Sequence, residues 1–150
     1  MHLDYQISED WDESSTDLAT ADETDLRYFA ATGDIILREG EIDLSARWGW
    51  IPLIDFALAL REIAEALSES GESETFEFTD SDATIRFDKK AQDVVISASY
   101  VPGEFGVPLM VFREQAEDFG RRLDRELRAK RPALGLKPVY QDFKLSGLSD

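Results

Sequence analysis

His2 is the only histidine of the chain. It sits at a terminus without a serine or cysteine partner, and a Ser-His-Asp arrangement would need other groups to converge on an end that tends to fray. The absence of cysteine excludes disulfides, thiolate metal sites and a cysteine nucleophile. The patterns G-x-x-x-x-G-K-[ST], G-x-G-x-x-G and G-x-S-x-G are also missing, and with them the usual nucleotide-binding and hydrolase signatures. What remains is carboxylate. Asp10-x-Asp12-x-Ser14 starts like a calcium loop, but Ser15 replaces the turn glycine and Ala21 stands where the bidentate glutamate belongs. Asp80-Ser81-Asp82 suits a turn better than a metal cage. A pair of acids for glycoside hydrolysis could be drawn from many positions, so no pair carries a signature. The expectation is a chain with no catalytic residue, no metal and no cofactor.

The 32 acidic residues outnumber the 16 basic ones, and they are unevenly spread. Residues 1–82 hold 22 acids and 4 bases, a net of −18, whereas residues 83–150 hold 10 acids and 12 bases, a net of +2. A strongly negative half repels nucleic acid and anionic lipid and attracts a basic protein; solubility alone is the plainer explanation of the same charge. Residues 1–26 contain no Lys or Arg and no apolar core of the signal type, so no secretory or transit peptide is expected. No apolar run approaches the roughly 20 residues that span a bilayer. The lack of cysteine fits a reducing compartment, and the expected location is cytoplasmic.

These side chains need elements to position them. The central one begins at Trp48-Gly49-Trp50 and Pro52, a residue suited to the first turn of a helix. Leu53, Phe56, Ala57, Leu60, Ile63, Ala64 and Leu67 then recur at three- and four-residue intervals, one face of a helix over 52–69 that Gly71 terminates. Before it, residues 2–7 suggest a first strand, and residues 8–25 an acidic loop whose one large apolar side chain is Trp11. Residues 27–31, 34–38 and 41–47 read as glycine-punctuated strands, with Glu41 and Asp43 alternating with Ile42 and Leu44. After it, the periodicity of two predicts an antiparallel three-stranded meander over 75–100, broken by Pro102-Gly103. A second helix over 108–130 carries Phe112, Ala116, Phe119, Leu123 and Leu127 on one stripe, and its late bases suit the helix dipole. Pro132 stops it, leaving an irregular tail over 133–150 with Val139, Tyr140 and Phe143 as possible anchors. The whole reads as a single α+β domain: a mostly antiparallel sheet of about five to seven strands packed with two helices. Trp48 and Trp50 lie on the same side of an extended segment, either as packing over the helix start or as an exposed binding patch.

The run Trp50-x-Pro52-Leu53-x-Asp55-Phe56-Ala57-x-x-Leu60, with Phe76-x-Phe78-Thr79 and Val94-x-Ile96-x-x-Ser99-Tyr100, resembles a group of small bacterial proteins of the immunity type. Such proteins are companions of polymorphic or contact-dependent toxins. The resemblance spans about residues 34–127 and implies stoichiometric neutralisation of a toxin; it implies no active residue. Together with the −18 half, it leads to an acidic binding protein whose partner is a basic, nuclease-like toxin domain. Asp10, Asp12, Glu13, Glu41 and Asp43 are the expected contacts, and Trp11 the expected anchor. A structural or regulatory interaction module and a carboxylate-based enzyme remain as alternatives.

Overall fold

The computed structural model describes residues 1–8 and 20–147. Among them the chain order is β1 (His2–Ile7), α1 (Glu23–Phe29), β2 (Thr32–Glu39), β3 (Ile42–Asp43), β4 (Ala46–Pro52), α2 (Leu53–Glu69), β5 (Ser73–Glu77), β6 (Thr84–Lys90), β7 (Asp93–Ala98), β8 (Val101–Pro108), α3 (Leu109–Lys130), α4 (Pro132–Gly135) and α5 (Pro138–Phe143). The class is α+β, as expected. The count is not: eight strands form two four-stranded antiparallel sheets, and five helices replace two. In the first sheet β2 is central, with β1 along one edge and both β3 and β4 along the other. The second is the meander β5-β6-β7-β8.

Three local effects account for most of the differences. Residues 27–31 are not a strand, because Asp22 caps α1: its side chain accepts the Asp25 N–H while the Asp25 carboxylate accepts the Asp22 N–H. The far end of the expected acidic loop is therefore helical, with Leu26 and Ala30 buried four residues apart. Pro102-Gly103 does not end the second sheet, since β8 is an edge strand and tolerates a residue without an N–H. The tail is not irregular either, because Pro132 and Pro138 each occupy the first turn of a short helix.

β4 runs straight into α2. Pro52 closes the strand opposite Thr32 and also stands at the N-cap, one position before the helix proper, while the Leu53 N–H donates to the Ala31 carbonyl. The predicted stripe of α2 is buried, and so is that of α3. The two helices pack on each other and on the inner faces of both sheets. Phe56 is the hub: its ring meets Phe76 of β5 at 5.0 Å and Phe119 of α3 at 5.5 Å, both edge-on. Full burial of one such side chain contributes roughly 1.5–3 kcal/mol, and a single continuous cluster of them runs through both sheets.

Polar seams close the remaining sides. Tyr5 of β1 donates its hydroxyl to Glu126, and Arg122 donates to Asp4 and to the Leu3 carbonyl, so the first strand is fastened to α3. Behind α3, Asp124 accepts hydrogen bonds from Tyr140 (2.5 Å), Ser146 (2.5 Å) and Arg128 (2.9 Å). Burial opposes that charge, yet the three donors outweigh it and hold the Asp124 carboxyl below the usual range. Gly120 lets the tail lie flat on α3, since a methyl group there would run into the Leu145 carbonyl oxygen.

Candidate functional site

The register between β2 and β4 breaks at one place. Ile35 faces Ala46 and Gly33 faces Ile51, so Asp34 alone stands against the four residues Arg47–Trp50. The surplus bulges out of the sheet. Two contacts fix its shape: Gly49 takes φ +79°, a conformation that suits glycine, and its N–H donates to Asp34 Oδ1 at 2.8 Å. The bulge carries Trp48 and Trp50 as a stacked pair, with centroids 5.4 Å apart and planes 21° from parallel.

Trp48 is the half-buried member. Phe78, just after β5, and Tyr100, in the turn before β8, meet it edge-on at 4.9 Å and 5.0 Å. Tyr100 is held in turn by donating its hydroxyl to the Leu44 carbonyl at 2.6 Å. Burial, and then the charge of Asp43, pushes its pKa up, so it remains a phenol and a donor. Trp48 thus joins the two sheets, while Trp50 lies outside it, 37% exposed. Of the pair, Trp48 is therefore taken up in packing, and Trp50 is left exposed.

The expected contact residues fall as follows. Asp10, Trp11, Asp12 and Glu13 lie outside the described residues, as does the comparison with a calcium loop. Glu41 is exposed in the turn between β2 and β3, and Asp43 is exposed at the end of β3. The single strand expected over 41–47 is interrupted, because Ser45 Oγ accepts the Leu37 N–H in place of a backbone rung. Glu41 and Asp43 therefore do not form a row along one strand. Asp43 is also engaged locally: hydrogen bonds from Ser45, and less strongly Arg47, hold its carboxyl below the usual range. Glu41, Asp80 and Asp82 have no ion-pair partner among the described residues. The last two occupy the exposed turn that leaves Phe78, and Phe78 contacts Trp48.

Many of the other charged groups are paired within the fold. Most bases of α3 pair with its own acids, as in Arg122–Asp118, Arg128–Asp124 and Lys130–Glu126, and Arg122 also with Asp4. Of the buried carboxylates, Asp124 serves the tail, and Asp55 in the first turn of α2 binds Arg27 of α1 at 2.6 Å. Burial disfavours the Arg27 charge, but Asp55 more than offsets this and raises its pKa. Among the described residues no three His, Asp or Glu side chains group as a metal site, and no helix is long and apolar enough to cross a membrane. Comparison with family models, with curated proteins and with solved structures finds no match for this chain.

Neither the anchoring role of Asp34 nor the convergence of Phe78 and Tyr100 on Trp48 was predicted from sequence. A Trp-Gly-Trp triplet inside a strand was the available signal, because glycine within a strand often marks a bulge.

Proposed function

We propose that the chain is a non-catalytic binding protein that neutralises a basic protein partner, in the manner of an immunity protein against a nuclease-like toxin domain. The observation that carries this reading is the stacked Trp48–Trp50 pair raised on a bulge whose neighbourhood holds unpaired acids. Aromatic side chains ordered before contact make good anchors, because little rotamer freedom is lost on binding. Charge supplies the approach. The −18 of residues 1–82 steers a basic surface inward, and Glu41, Asp43 and the segment holding Asp10, Asp12 and Glu13 belong to that half. Trp50, with Trp11 as a second candidate, then holds the complex once water is expelled.

The test is a pull-down at low salt followed by kinetics on the captured basic protein. Glu41→Lys combined with Asp43→Lys should slow association and flatten its salt dependence. Trp50→Ala should speed dissociation and leave association nearly unchanged. Capture of no basic protein, or kinetics indifferent to both changes, would reduce the acid to a solubility device.

A further inference from the structure

A second surface lies on the basic half of the chain. A groove of about 700 Å³ is bounded by Ser68 of α2, the β6–β7 turn from Lys89 to Asp93, and Pro108, Leu109, Met110 and Arg113 at the start of α3. Its floor is apolar and open: Met110 is 72% exposed. Lys89 is the unexpected member. Ile85 and Phe87 fill the core from β6, and Lys89 is next on that face, opposite the buried Val94. It is half-buried and has no ion-pair partner among the described residues. Arg113, on α3, has Glu117 as its one ion-pair partner among the described residues, at 3.8 Å. Asp93 is the one acid among the described residues that line the groove, and its partner in the strand register is Lys90. Ala91 adds a methyl to the lining from a backbone at φ +57°, where glycine would be free of strain.

We propose that this groove binds an acidic, amphipathic peptide segment of a partner protein, carboxylates on Lys89 and Arg113 and an aliphatic side chain over Leu109 and Met110. Charge complementarity selects that occupant: two under-used cations from two different elements border one apolar floor. They belong to the half of the chain whose net charge is +2, whereas most other bases of α3 are neutralised within the helix. The floor is open rather than enclosed, which suits a length of chain lying across it. The surface is separate from the tryptophan bulge and does not depend on the function proposed for it.

Titration of the isotope-labelled protein with a short acetylated, amidated peptide of alternating aspartate and leucine tests this. Saturable amide shifts should concentrate at 89–93 and 109–113. The asparagine–leucine counterpart should bind about tenfold more weakly, since charge-assisted hydrogen bonds are lost. Lys89→Gln should weaken the acidic peptide similarly, and so should Met110→Gln, a change at an exposed position that leaves the core intact. Scattered shifts, equal binding of both peptides, or undiminished binding by Lys89→Gln would overturn the proposal. So would shifts of the same amides with protein concentration alone, which would make the occupant a second copy of this chain.

Discussion

Carboxylates serve two different ends in the two halves of this molecule. Along α3 an acid is followed by a base four residues later at Asp118–Arg122, Asp124–Arg128 and Glu126–Lys130. In the first half, Glu41 in the β2–β3 turn and Asp80 and Asp82 in the turn that leaves Phe78 meet no base among the described residues. Exposed helix pairs contribute only about 0.3–0.5 kcal/mol each, so the pairing on α3 matters less for stability than for silencing charge. The contrast shows that net charge by itself does not locate a binding surface. What separates the two regions is whether a carboxylate finds a base within the fold.

Both regions nevertheless share one core, and the largest effect should come from the residue that links them. Phe56→Ala is expected to cost about 3–5 kcal/mol, and tryptophan fluorescence and far-ultraviolet dichroism should still report one coincident denaturant transition. Two separated transitions would divide the molecule into independent parts.

Asp124→Asn should cost about 2 kcal/mol at neutral pH, because Tyr140, Ser146 and Arg128 lose a charged acceptor. The folded-state pKa of Asp124 is depressed, so its contribution is present above the ordinary carboxylate pKa and is lost as pH falls through the folded value. Stability measured down from pH 5 should therefore fall less steeply in the variant than in the wild type. An equal slope would remove Asp124 from the acid response.

Gly49→Ala probes the other region. Its Cβ would meet nothing within 4 Å, so the expected cost of about 1–2 kcal/mol comes from the left-handed backbone alone. A change in the fluorescence of the native state should accompany it. The smallest effect on stability belongs to Glu41→Lys, expected within about 0.5 kcal/mol by chemical denaturation. A larger loss would mean that Glu41 has a structural task.

The helices and the meander were legible because their periods are long and regular: 52–69 and 108–130 against Leu53–Glu69 and Leu109–Lys130. The first sheet was less so. Residues 27–31 read as a strand because Gly33 punctuates the series, but the reciprocal Asp22–Asp25 cap and the Leu26–Ala30 spacing carried the local preference to helix. Ser45 replaces a ladder rung with its side chain, which no hydrophobic pattern records. The bulge depends on how four residues of β4 are fitted against one of β2, a matter of pairing between segments. Trp48, Phe78 and Tyr100 meet only once the two sheets are side by side. The Trp-Gly-Trp spelling marks the place, and the fold gives it its meaning.

The attachment of β1 to α3 also bears on how the chain reaches this structure. Tyr5 and Glu126 are 121 positions apart, and Asp4 and Arg122 are 118 apart. Contacts between such distant parts of a chain incur loop-closure entropy before they return any stability, so topologies rich in them fold slowly. β1 can pair with β2 early, but its outer seam must wait for a helix near the other end of the sequence. Until α3 docks, the first strand is held on one side only.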